Sequence, residues 1–246
     1  KIGAEAMRQG KNVLHYTLEL NENYVGLRYD ACFTGIDFQN IRNNINIVKK
    51  KIAEVSGKLI IKYFPIKTVS AHHLKLHVER VQMLGTKIDM ILLDYIDCIV
   101  PDKNLGDEWK SEGSVMRGFE AMCHELSIAG WTATQGNRSS ISSEVVTTDQ
   151  MGGSIKKAQI AHVILSIGKT LEQKDNNLAT LTLLKSRIGK DGIIWQNCKF
   201  NNEYLEIDTD TQNTLLGHEE QKIQDRASRN AEVYKKSQQK KGILIQ

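Results

Sequence analysis

The chain has 246 residues, 40% of them hydrophobic and 25% charged, with a net charge of +4. That length and composition suit one large α/β domain, or one domain with an extension, and the weak basic balance permits a nucleic-acid partner without demanding one. No apolar run is long enough to span a bilayer, and the opening stretch Lys1-Ile2-Gly3-Ala4-Glu5-Ala6-Met7-Arg8 lacks the apolar core of a signal peptide.

Lys1 to Gln9 reads as a helix stopped by Gly10. Asn12 to Thr17 is a strand, followed by Leu18-Glu19-Leu20. Asn21 is an N-cap for a helix that runs toward Gly35 and contains Arg28. Asn44 to Ser56 is a basic helix closed by Gly57, and Lys58 to Phe64 is a strand. Ser70 caps a helix over Ala71 to Leu84, with Leu74, Val78 and Val81 on its apolar face. Ile88 to Asp94 is short, almost wholly apolar and without strict alternation, the pattern of a strand buried on both faces of a parallel sheet. It ends in the carboxylate of Asp94, and in open α/β sheets ligands bind beyond the carboxyl ends of the strands.

A polar loop is expected from about Pro101 to Gly113. Val115, Phe119, Met122 and Leu126 have helical spacing, with Gly130 ending that helix. Trp131 to Thr134 is a strand that ends at Gln135. A Ser/Thr/Gly-rich loop covers Gly136 to Gly153, a short helix starts at Ser154, and His162 to Ile167 is a strand. Leu178 to Ser186 and Ile193 to Phe200 form a hairpin pair around Gly189-Lys190-Asp191-Gly192, and Tyr204 to Ile207 is a further strand. Strands alternating with helices, then hairpin strands, predict a mostly parallel sheet flanked by helices with an antiparallel extension near the C-terminus. Residues 1–208 form the expected domain. Residues 209–246, rich in Gln, Lys, Arg and Ser, read as a polar helix or flexible tail.

If the strands before Glu19, Asp94 and Gln135 are parallel, these three groups converge on one sheet edge. Such a trio suits metal-assisted phosphoryl transfer: one carboxylate holds Mg2+, another activates water, and an amide senses the γ-phosphate. Lys185 and Arg187, two apart on a strand, point the same way. Paired cations on an edge suit a finger reaching a phosphate on a neighbouring subunit, or simply a solvated basic edge.

Five stretches, Thr17-Leu18-Glu19-Leu20, Leu92-Leu93-Asp94-Tyr95, Thr132-Ala133-Thr134-Gln135, Gly152-Gly153-Ser154-Ile155 and Lys185-Ser186-Arg187, resemble in order and spacing the RecA-like motor domain of DnaB-type replicative DNA helicases, and most of all the T-even phage branch. The resemblance covers about Lys1 to Ile207. It implies that Glu19 is the general base for water, that Asp94 is the Walker B residue holding Mg2+, and that Gln135 couples nucleotide state to DNA contact. It further implies that Lys185 and Arg187 are donated to the ATP of the adjacent subunit and that Arg28 lies near the phosphates. DNA-contacting loops map to about Asp102–Glu112 and Arg138–Gly153, with Arg138, Lys156 and Lys157 as phosphate contacts. The implied partners are single-stranded DNA, further copies in a hexameric ring, and a primase and helicase loader. The implied location is the cytoplasm of a bacterium or phage-infected cell.

The family also needs a P-loop, Gly-x-x-x-x-Gly-Lys-Ser/Thr, whose backbone N–H groups and lysine hold the phosphates. The only near match, Gly168-Lys169-Thr170, has Val163 where the first glycine is required and leads toward a hairpin. The first core strand and P-loop are therefore expected upstream of Lys1, the chain is read as a fragment, and alone it is expected to hydrolyse little or no ATP. The apolar end Gly242-Ile243-Leu244-Ile245-Gln246 is a candidate to pair into the vacant strand position, or a frayed tail. A RecA- or RadA-like recombination ATPase and a non-catalytic DNA-binding or self-associating module are the alternative functions. Four cysteines (Cys32, Cys98, Cys123, Cys198) without metal-ligand spacing are expected to be free buried thiols. Asp97 and Cys98 receive no task.

Overall fold

The short run Val13–Thr17 forms β1, on which Val13, Leu14 and Tyr16 are fully buried. The computed structural model describes residues 1–102, 108–137, 145, 147–148, 155–209 and 214–216, with the backbone alone at 108–112, 155 and 214–216. In it β1 lies between β2 (Leu59–Tyr63) and β3 (Met90–Asp94), and β4 (Ala129–Thr132) flanks β3 on its other side. All three pairings are parallel, so the carboxyl ends of the strands share one edge.

Alternate residues of these strands feed two cores. Leu14, Tyr16, Ile91 and Leu93 face α4 (Ala71–Met83) and α5 (Glu108–Glu125), which bring Leu74, Val78, Val115, Phe119 and Met122. Val13, Met90 and Leu92 face α1 (Ile2–Arg8) and α2 (Glu22–Thr34), which bring Ala4, Met7, Val25 and Tyr29. Burial on both faces explains why the central strand is continuously apolar. Asn21 caps α2 by accepting from the Tyr24 amide at 3.0 Å, and Gly35 ends it in the left-handed region at φ +69°.

The second sheet is antiparallel, in the order β5 (Val163–Gly168), β6 (Leu178–Ser186), β7 (Ile193–Asn201) and β8 (Glu206–Asp208). It has its own small core of Ala179, Leu181 and Cys198. Among the described residues β4 pairs only with β3, and β5 only with β6. A cavity of about 580 Å³ is lined by both strands, through Gly130, Trp131 and Thr132 on one side and Val163 on the other, with Phe119 and Cys123 of α5 at its wall.

Several boundaries differ from expectation. Helix α3 (Ile45–Ala53), preceded by a 3-10 turn over Ile41–Asn44, ends before Ser56. The Gly57 amide donates to the Met7 carbonyl at 3.1 Å, and a Cβ at Gly57 would stand 2.2 Å from the Lys11 carbonyl oxygen, so this segment is drawn onto the end of α1 instead of continuing the helix. Helix α5 starts at Glu108, inside the expected polar loop, because its polar first turns are sound helix formers on an apolar stripe that begins later. It ends at Glu125, not at Gly130. Gly130 is instead within β4, where a Cβ would lie 2.5 Å from Cys123 Sγ, so glycine lets the strand lie against α5. β4 begins two residues earlier than expected and stops at Thr132, leaving Gln135 beyond it.

Two elements were not anticipated. Thr170 and Gln173 form a reciprocal capping box that starts the five-residue helix α7 (Leu171–Asp175). Lys169 lies over the Phe200 ring at 3.8 Å, so Gly168-Lys169-Thr170 is a strand end and helix cap. Strand pairing also passes the expected boundary at Asp208, since β9 (Thr214–Leu216) pairs with β7. All four cysteines are free and buried. Residues 242–246 lie outside the described residues. Among the described residues no helix is long and apolar enough to cross a membrane.

Candidate active site

Register brings the expected acidic pair together. Thr17 of β1 stands opposite Asp94 of β3, and the Leu18 amide donates to the Asp94 carbonyl at 3.0 Å. Glu19 follows one residue later and is exposed, whereas Asp94 is half-buried. Burial raises the Asp94 carboxyl above its usual range, the charge of Glu19 raises it further, and Arg28 on α2 pulls it back. Glu19, Asp94 and Arg28 thus share one electrostatic neighbourhood.

The peptide Asp94–Tyr95 is cis. The Tyr95 hydroxyl accepts from Gln135 Nε2 at 3.2 Å. Its proton is held more tightly than usual, first through the Cys98 thiol, then by burial and by the Glu19 carboxylate. Tyr95 therefore bridges Glu19 and Gln135 across the ends of three parallel strands. Sequence reasoning missed this role, although Tyr95 directly follows the strand-ending carboxylate.

Asp97 was also missed. Its Oδ2 accepts from the Thr134 hydroxyl at 2.9 Å and its Oδ1 from Lys157 Nζ, while its carbonyl accepts from Lys67 Nζ at 2.6 Å. Lys157 belongs to α6 (Ile155–Ile160) and is only 4% exposed. The expectation that Lys157 contacts DNA phosphates is corrected by this placement, because its ammonium is buried against Asp97. The available signal was a lone carboxylate in the apolar run Ile96 to Val100, which calls for a buried cation. Lys156, its neighbour, is half-buried. Arg138 lies outside the described residues, as does most of the expected loop from Arg138 to Gly153. Of the other expected DNA loop, Asp102 accepts from the Ser70 hydroxyl and from the His72 amide at 3.0 Å, and 108–112 belong to α5.

Lys185 and Arg187 point the same way, as their spacing predicts, but toward α6. Lys185 Nζ donates to the carbonyls of Ala158 at 2.7 Å and Gln159 at 3.0 Å, and Arg187 Nη2 donates to Gln159 at 2.9 Å. Cations at a helix C-terminus are favoured by its unpaired carbonyls and dipole. Arg187 remains exposed and has further N–H donors to offer.

The acidic pair fits a Mg2+ ion. Two mutually repelling carboxylates with one nearby arginine lower their energy when a divalent cation lies between them and a phosphate, and Mg2+ commonly uses one or two carboxylates in that way.

Solved structures share the fold. One, a DnaB-like replicative helicase described with its interactions with primase, aligns with a TM-score of 0.68 at 16% identity over 83% of this chain and 54% of its own. A second, the ATPase domain of a phage helicase, aligns with a TM-score of 0.70 at 14% identity over 84% of this chain and 77% of its own. The chain has the fold of a DnaB-type helicase motor domain. It spans about half the length of the DnaB-like helicase. No protein-family model and no curated protein matches the sequence, so the DnaB-type likeness is one of fold.

Proposed function

We propose that the chain is the motor part of a replicative DNA helicase, coupling ATP hydrolysis to movement on single-stranded DNA and to duplex opening. The reading is carried by one observation: at the carboxyl edge of the parallel sheet, Asp94 neighbours Glu19, and Tyr95 links Glu19 to Gln135. In this reading Glu19 takes the proton of the attacking water, and Asp94 holds Mg2+, which neutralises the phosphates. Gln135 senses the γ-phosphate from the end of β4, and Arg28 adds positive charge near the phosphates. Arg187, steadied by Lys185, reaches the ATP of the next subunit in a ring of copies. Arg138 and Lys156 hold the DNA backbone, with a primase and a loader as further partners in the cytoplasm of a bacterium or phage-infected cell.

The 246 residues contain no Gly-x-x-x-x-Gly-Lys-Ser/Thr, so this reading takes the phosphate cradle from a further segment. The cavity between β4 and β5, open along an unpaired edge of each, is its seat: a strand there gains backbone hydrogen bonds on both sides and delivers its carboxyl end beside Asp94 and Gln135.

Calorimetry with Mg-ATP tests this, using the chain alone and the chain preceded by a strand and P-loop. Binding only by the extended form supports the reading. Binding by neither refutes it, and binding by the chain alone overturns the proposed cradle. Unwinding of a forked duplex, as against strand exchange, separates a helicase from a recombination ATPase.

A further inference from the structure

Helix α6 is gripped at two points by buried or half-buried cations. Toward its start, Lys157 pairs with Asp97, which also accepts from Thr134; these two residues lie just beyond β3 and β4, beside Tyr95 and Gln135. At its end, the Ala158 and Gln159 carbonyls receive Lys185 and Arg187. Only one residue separates Lys157 from Gln159. A displacement of α6 at one grip must therefore appear at the other, because the turn between them is hydrogen-bonded helix.

Lys157 is nearly enclosed, so its charge is bound to Asp97 more firmly than a surface pair would be, and removing either partner leaves the other's charge uncompensated. Replacing both with neutral side chains of similar shape removes the ionic grip without stranding a charge.

We propose that Asp97 and Lys157 are positioning residues for the Lys185–Arg187 finger: through α6 the pair sets where the finger stands relative to the nucleotide edge of its own subunit. The inference rests on the helicase reading above, in which that finger serves the neighbouring subunit's ATP. Asp97 then matters for hydrolysis at the neighbour's site and not at its own, although it lies close to its own Asp94 in sequence.

Mixed rings of the full-length protein distinguish these cases. The variants are Asp97→Asn combined with Lys157→Gln, Arg187→Ala, and Glu19→Gln. The neutral Asp97/Lys157 double variant alone is expected to lose about tenfold or more in kcat, with KM for ATP changed less than about twofold, as for a misplaced catalytic group. Mixed with Glu19→Gln subunits, it is expected to regain hydrolysis, since its intact sites then meet intact fingers. Mixed with Arg187→Ala subunits, it is expected to regain none.

If Arg187→Ala mixed with Glu19→Gln recovers activity but the Asp97/Lys157 double variant does not, the pair acts in its own site and the inference falls. If even Arg187→Ala fails to complement Glu19→Gln, the trans finger itself falls, and the inference with it. Unchanged kcat in the double variant, or its failure to fold, also overturns the inference, because the pair would then serve neither as positioner nor as a part dispensable to folding.

Discussion

Gln135 Nε2 donates to the Tyr95 hydroxyl at 3.2 Å, joining the segment after β4 to the residue after Asp94. The amide of Gln135 cannot shift without changing what Tyr95 presents to Glu19. Tyr95→Phe keeps the ring and deletes the hydroxyl bridge. In the full-length protein it is expected to preserve folding and Mg-ATP binding while lowering DNA-stimulated hydrolysis by about tenfold. A stopped assay of phosphate release with and without single-stranded DNA reads this directly.

Glu19→Gln removes the proposed base and one negative charge. Hydrolysis in the full-length protein is expected to fall by about 10² to 10⁴ with Mg-ATP binding retained, as single-turnover and equilibrium binding measurements will show. The same change removes an upward push on Asp94, so the Asp94 carboxyl titrates lower. A folded-state value above the unfolded one favours the native state below the unfolded value, and that contribution disappears as pH rises through the folded value. Asp94→Asn is therefore expected to raise Tm at neutral pH, with the gain vanishing in acid. Melting curves between pH 3 and pH 7 check the sign.

His15 sits on β1 with Nδ1 3.1 Å from the Tyr29 hydroxyl and Nε2 without a hydrogen-bond partner among the described residues. Burial, then the charges of the amino terminus and Arg28, hold its pKa down to about 4. The unfolded chain binds a proton near pH 6.5, so stability is full above that value and falls as pH drops toward 4. The loss amounts to about 3 kcal/mol from this residue. His15→Phe is expected to flatten urea-unfolding stability between pH 6.5 and pH 4.

Gly57 admits no side chain, since a Cβ would stand 2.2 Å from the Lys11 carbonyl oxygen and 2.8 Å from Met7 Cα. These are backbone atoms, which cannot swing aside. Gly57→Ala is expected to cost about 2–3 kcal/mol in denaturant unfolding, without altering the nucleotide edge.

Binding of single-stranded DNA by the full-length protein is expected to weaken as salt rises. Lys156→Ala should lower the slope of log K against log salt by about 0.7, the value for one lost phosphate contact. Lys157→Gln should leave that slope unchanged, because its charge is already spent on Asp97. Titrations at several salt concentrations separate the two lysines.

The sequence carried the alternation of strands and helices because burial on both faces leaves a continuous apolar run such as Ile88 to Leu93, and because Asn21, Gly35 and Ser70 act locally. It carried Asp94 and Glu19 for the same reason: parallel strands of known direction put their ends on one edge. It did not reveal that Gly130 belongs in a strand, since a glycine needed for close approach to Cys123 looks the same in sequence as one that stops a helix. Nor did it separate Lys156 from Lys157. Adjacent lysines differ only in the direction each leaves the helix, and that direction depends on Asp97, sixty residues earlier.

The division of strands into a parallel four and an antiparallel five, each with its own apolar cluster, has a dynamic corollary. No backbone ladder crosses from β4 to β5 among the described residues, so the amides of β1–β4 and those of β5–β8 need not open together. Hydrogen exchange of this chain should resolve them into two cooperative groups with separate opening energies. A strand entering between β4 and β5 would stitch them into one, so that occupancy of that slot can be read as the merging of two exchange classes.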